Sequence, residues 1–238
     1  MAVSIFDSEI FGRAFTTPEM RLIFSDTAYI GCIMQAEVAL ARAQEHVGLL
    51  PPGTASEIEV SFNNAKINVK ELSESVLQIG RPIMGLTEQL KKQAGKNSDW
   101  IHFGASTYDI MDTARVLQIK KAISSIEKKI IKTLSIFDTL ISDHGTAIMA
   151  SRSNHMHSAT HTFGLKIAVY AEEFMRHIDR LEDLKSRVLN VQLAGANGTL
   201  NSMGSRGLQT KLRFAEELEL GSLDTFWHNA RDGITELG

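Results

Sequence analysis

The chain has 238 residues, 43% hydrophobic and 22% charged, with a formal net charge of −3, enough apolar material for a sizeable core. The near balance of charge excludes a dedicated nucleic-acid binder, which needs a basic excess to neutralise phosphates, and no apolar run approaches the roughly 20 residues that span a bilayer. A single cysteine, Cys32, excludes an intrachain disulfide framework and predicts a protein of the reducing cytoplasm.

The opening MAVSIFDSEIFG carries acids and no basic n-region, unlike a signal peptide. Thr17 followed by Pro18 and Glu19 reads as a helix N-cap with proline at the first helical position. One helix is predicted from there to about Val47, with Gly48 as its C-cap and Pro51-Pro52 as the stop. PPGTASEIEVSF reads as a turn and a short helix, and IGRPIMGLTEQLKKQAG as another.

Beyond Pro82 the pattern changes, because residues 83–238 contain no proline. Proline breaks helix interiors, so its absence permits very long helices. Apolar residues at Val116, Ile119, Ile123, Ile126, Ile130, Leu134, Phe137 and Ile141 are spaced 3, 4, 3, 4, 4, 3 and 4 apart. That spacing is one stripe along a helix of roughly 40 Å. A second stripe runs from Phe163 through Ile167, Tyr170, Phe174 and Ile178 to Leu181, Leu184 and Val188. Helices of this kind belong to bundles, formed within one chain or between subunits. There is almost no alternating strand pattern, and no repeat or low-complexity segment. The prediction is an all-α protein with a boundary near residue 105 to 115. WHNARDGITELG reads as the start of a further helix.

Three stretches can carry chemistry. SRSNHMHSATHTFG, residues 151–164, holds His155, His157 and His161. It reads as a metal site, an acid/base site, or histidines at a helix start. On a helix, His157 and His161 share a face and His155 does not, and the glutamate of an HExxH zinc motif is missing. HFGASTYDIMDTA, residues 102–114, places Ser106 and Thr107 just before a long helix. They can simply cap it, or join its N-terminal N–H groups in holding a carboxylate. VQLAGANGTLNSMGSRG, residues 191–207, is glycine-rich but lacks a P-loop lysine, and reads as a turn between helices.

Taken together and in order, these motifs resemble the fumarase/aspartase superfamily. HFGASTYDIMDTA is similar to its first signature region, SRSNHMHSATHTFGLK to its second, and GANGT to the turn that follows. The phrases PEMRLIFSD, AEVALARAQ, WIHFGAS and WHNARDGITEL resemble the 3-carboxy-cis,cis-muconate cycloisomerase branch. Adenylosuccinate lyases, the next branch, carry an Arg-Tyr pair for nucleotide phosphate where this chain has Ala14 and Phe15.

The resemblance implies a small N-terminal helical domain over residues 1–110 and the long helices of a central bundle over 111–238, cut before a C-terminal domain. It implies addition or elimination across a carbon–carbon bond next to a carboxylate, with no metal and no cofactor. The substrate would be a small di- or tricarboxylate; nucleic acid and membrane are not implied as partners. In this chain His157 matches the histidine that acts as acid or as the acid's partner. Ser106 and Thr107 match carboxylate-binding positions, with Arg152, Asn154 and His155 completing the substrate-binding set. Asn154 stands where the family has a substrate-contacting histidine, and an amide cannot carry a proton at neutral pH. The third signature, a Gly-Ser-Ser-x-Met-Pro-x-Lys-x-Asn loop with the serine base, has no match in the chain. The family builds homotetramers whose active sites are shared between subunits. The alternatives are a fumarate-eliminating lyase of the adenylosuccinate type and a non-catalytic helical scaffold that only oligomerises.

Overall fold

The computed structural model describes residues 4–237. It is mainly helical, and divides into two compact units, Met1–Lys120 with Val188–Gly238, and Lys121–Arg187.

The first unit opens with a short helix α1 (Gly12–Phe15) and then α2 (Pro18–Ile23), whose N-cap Thr17 accepts a hydrogen bond from the Met20 N–H. The helix expected to continue to Val47 breaks at Phe24, and α3 (Asp26–His46) starts afresh from Ser25. Ser25 is extended and its hydroxyl does two jobs, accepting from the Ala28 N–H at 3.2 Å and donating to the Leu22 carbonyl at 2.9 Å. A serine that bonds backbone in both directions competes with the helical ladder. The carbonyl of Ile23, freed by the break, is taken by the fully buried Gln118 amide at 2.7 Å.

Gly48, at φ 75°, ends α3 as expected. The two N–H groups of Gly53 and Ala55, at the start of α4 (Thr54–Asn63), are both taken by Glu45. A helix the sequence reading overlooked, α5 (Val69–Ile79), is capped by Asn68 and closed by left-handed Gly80. It leads into α6 (Pro82–Gln93). The core is built from Ile33 and Leu40 of α3, Ile58 of α4, and Ile83, Leu86 and Leu90 of α6, all at most 1% exposed. Each such side chain contributes about 1.5–3 kcal/mol of transfer free energy.

The longest helix, α7, runs Thr107–His144. Its first turns, with Ile110 and Ala114 fully buried, belong to this first unit.

In the second unit α7 continues, and an antiparallel hairpin follows it: β1 (Ile148–Ser153) and β2 (Met156–Thr162). Helix α8 (Phe163–Val188) then runs back along α7, as the Lys185–Glu127 ion pair at 2.7 Å and the Phe137–Phe174 ring contact at 5.8 Å show. Both long helices thus appear where the apolar stripes put them. The close return is made by two glycines: the Gly164 N–H donates to the Gly145 carbonyl, and a Cβ at Gly164 would sit 2.7 Å from that oxygen.

The hairpin departs from the expectation of an all-α chain with almost no alternating strand pattern. Asn154 and His155, at φ 48° and 65°, form a two-residue turn of the kind that suits strand twist. The chain re-enters the first unit through an extended stretch, and two further helices complete it: α9 (Gly207–Leu218) and α10 (Asp232–Thr235). α9 packs on α3 through fully buried Phe214. Among the described residues no helix is long and apolar enough to cross a membrane.

Candidate functional site

The first unit holds a cavity of about 530 Å³ at the start of α7, within the size range of small-molecule sites. Ser106, Thr107, Tyr108 and Asp109 form one side. Gln192 and the turn from Ala194 to Gly198 form a second. Arg81, Phe226, His228 and Asn229 complete it.

The loop that presents Ser106 is fixed from beneath by α3. Glu37, 2% exposed, accepts from the His102 backbone N–H at 3.0 Å and meets the His102 Nδ1 at 2.6 Å. This locks His102 in a left-handed conformation, φ 63°. Burial alone drives the imidazole below its ordinary pKa; the Glu37 carboxylate overrides it, through its charge and its hydrogen bond, and holds His102 above that value. Gln44, also on α3, donates to the Phe103 carbonyl at 2.6 Å.

Asp109 ties the loop to the glycine turn. It lies at the third helical position after Ser106, and its carboxylate reaches back to the Ser106 N–H at 2.8 Å, half of a capping box. The same carboxylate accepts from the N–H groups of Ala194 and Gly195, each at 2.9 Å. Asp109 is 1% exposed, so its charge is compensated by three backbone donors rather than by water. One turn on, Thr113 accepts from the Gln192 N–H at 2.9 Å and donates to the Asp109 carbonyl at 2.7 Å. Segments remote in sequence are thereby held against the N-terminus of α7, where the first-turn N–H groups lack helical partners and favour anions.

The far wall is positioned by Asp112. Its carboxylate forms a two-pronged pair with Arg231, both contacts at 2.9 Å. Arg231 in turn bonds the His228 carbonyl at 2.8 Å, and the Trp227 backbone N–H donates to Gln192 at 3.0 Å. The result sets His228 against the Tyr108 ring, with centroids 4.7 Å apart.

Of the residues singled out from sequence, Ser106 and Thr107 line this cavity. Arg152, Asn154, His155 and His157 lie on the hairpin of the second unit, all exposed. Arg152 pairs across the strands with His157, whereas His161 pairs with Met149. The register shift between Ala150 and Arg152 puts those two pairs on opposite faces. His157 and His161 therefore do not share a face, as they would on a helix, and His155 sits in the turn. Among the described residues no group of three or more His, Cys, Asp or Glu is placed to hold a metal ion.

Sequence reasoning missed Arg81, Asp109, Asp112, His228 and Arg231. Only Asp109 had a local signal, its capping-box spacing from Ser106. The others meet through the fold.

A mainly helical fold with a polar cavity at the N-terminus of a long helix defines a class of proteins equipped to hold small anions. Comparison with known proteins narrows it. A family model described as Lyase matches residues 12–236, and the chain belongs to this family, within the fumarase/aspartase superfamily. It is 34% identical to trans-aconitate decarboxylase 1 of Mycosarcoma maydis over 97% of this chain and 46% of that protein. The fold superposes on the crystal structure of fumarate lyase from Mesorhizobium sp. BNC1 with TM-score 0.90 and 39% identity, covering 95% of this chain and 54% of that one. It superposes on β-carboxy-cis,cis-muconate cycloisomerase from Acinetobacter calcoaceticus sp. ADP1 with TM-score 0.92 and 30% identity, covering 96% and 55%. The chain spans about half the length of the relatives it matches.

Proposed function

We propose that this chain belongs to an enzyme that adds or eliminates across a carbon–carbon bond beside a carboxylate, and that its reaction is the cycloisomerisation of a 3-carboxymuconate-type tricarboxylate to a lactone, a step of aromatic catabolism. The observation that carries the reading is the cavity at the α7 N-terminus, with Ser106 and Thr107 in its wall, in a chain of the lyase family.

The chemistry follows from what such a reaction demands. A carboxylate oxygen forms a bond to the β-carbon of the alkene, and the π electrons move to the α-carbon and into its neighbouring carboxylate. A proton then closes the α-carbon. The group holding that carboxylate must stabilise charge as it builds, which hydroxyls and helix N-terminal N–H groups do without reorganising. Ser106 and Thr107 take this role. His157 is the proton carrier or its partner, a role that suits an imidazole side chain. Arg152, Asn154 and His155, beside it on the hairpin, contact substrate. All four are exposed in the single chain, which fits sites completed by other subunits. Ile131, Ile136, Leu165, Val169 and Met175 of α7 and α8 are each at least half exposed, supporting burial of these helices in a homotetramer. The working location would be the cytoplasm, and neither metal nor cofactor is required.

A second reading has its own support. The 39% identity to a fumarate lyase favours elimination of fumarate from a succinyl adduct. An ultraviolet assay separates the two. Loss of the conjugated diene of 3-carboxymuconate supports the cycloisomerase; an untouched diene with fumarate released from a succinyl adduct supports the lyase. If both substrates survive, the scaffold reading replaces them.

A further inference from the structure

Arg81 and His228 are separated by more than half the chain, yet they line one cavity and pack on one ring. The Arg81 guanidinium carbon lies 5.5 Å from the centre of Tyr108, and the His228 ring lies 4.7 Å from it. Arg81 pairs with no carboxylate among the described residues. The other charges nearby are spoken for. Arg231 is committed to Asp112 through two contacts. Asp109, the only acid in the cavity lining, is committed to three backbone N–H groups. Of these charged groups, Arg81 alone is held by no ion pair or hydrogen bond among the described residues.

His228 can serve as a second donor. Its Nδ1 faces Arg231 Nη2 at 3.5 Å and Asp112 Oδ2 at 3.8 Å. In the tautomer in which Nδ1 accepts from the Arg231 guanidinium, Nε2 carries the ring proton. Nε2 has no partner among the described residues.

We propose that Arg81 and His228 are the specificity-determining pair of this cavity and hold a second carboxylate of the substrate. The inference rests on the reading that Ser106 and Thr107 hold the first. Arg81 supplies the charge, His228 the directed N–H, and Tyr108 an apolar wall beside them. Ligands with two or more carboxylates on a short carbon chain are then selected over monocarboxylates. Asp112 and Arg231 act through His228 as positioning residues.

Calorimetric titration of the 238-residue chain with tricarballylate and with propionate tests this, using Arg81→Gln, His228→Gln and Ser106→Ala. Arg81 and His228 are each more than a third exposed, so their replacement leaves the core intact. Tricarballylate is expected to bind more tightly than propionate. Arg81→Gln and His228→Gln should each weaken tricarballylate about tenfold or more, the scale of a lost charge-assisted hydrogen bond, with propionate unchanged. Ser106→Ala should weaken both ligands. If Ser106→Ala weakens tricarballylate but either Arg81→Gln or His228→Gln does not, the pair is wrong and the first carboxylate site stands. If the unmodified chain binds neither ligand, or Ser106→Ala has no effect, the underlying reading fails and takes the pair with it.

Discussion

Glu37 and His102 meet at 2.6 Å beneath the loop that presents Ser106, one on the middle of α3 and the other just ahead of α7. The contact couples the cavity to pH. His102 titrates above its ordinary 6.5 because the Glu37 carboxylate outweighs the effect of burial. Folding therefore binds the proton more tightly, and the stabilisation is complete below 6.5 and lost as pH rises through the raised value. The melting temperature of the unmodified chain minus that of Glu37→Gln should shrink from pH 6 to pH 9. A difference that stays constant or grows would mean that His102 is not protonated in the fold.

Asp109 is the joint between α7 and the glycine turn, so its removal should cost more than a cap. Asp109→Ala strands three buried N–H donors. The expected loss is about 3 kcal/mol or more in urea unfolding. A loss below about 1 kcal/mol would show that the donors find other partners.

Gly164 approaches the Gly145 carbonyl too closely for any side chain, since its Cβ would lie 2.7 Å from a backbone oxygen. Gly164→Ala should destabilise by about 1–3 kcal/mol. Gly31→Ala, with open space around its Cβ, should be neutral or slightly stabilising through helix propensity. Equal melting temperatures for the two variants would contradict the packing.

Arg231→Lys keeps the charge but cannot span both oxygens of Asp112. The Trp227 indole, 8% exposed and bonded to the Val191 carbonyl, should gain water access and shift its fluorescence to the red. An unshifted spectrum would mean that the two-pronged pair does not hold this wall.

What could be read in advance follows the range of the interactions. The absence of proline after Pro82 and the two apolar stripes announced α7 and α8, because helical packing is periodic along one segment. Thr17, Pro18 and Gly48 marked helix ends for equally local reasons. The break at Ser25 was hidden, since the Gln118 amide that takes the Ile23 carbonyl comes from a distant helix. The hairpin was hidden for another reason. Its strands, IMASRS and MHSATHT, lack a regular alternation of apolar and polar residues, and its turn uses Asn154-His155 instead of a glycine. Ser106 and Thr107 were visible through a motif. Arg81 and His228 were not, because only the fold brings residues 81, 108 and 228 together.

The central claim is that the N-terminus of α7 holds the carboxylate next to the reacting bond. The most direct test is kcat/KM for loss of the 3-carboxymuconate diene, measured for the protein carrying this chain and for its Ser106→Ala variant. A loss of about a hundredfold, within the range for removing one preorganised donor, with an unchanged melting temperature is the expected result. Equal kcat/KM values for the two proteins would contradict it.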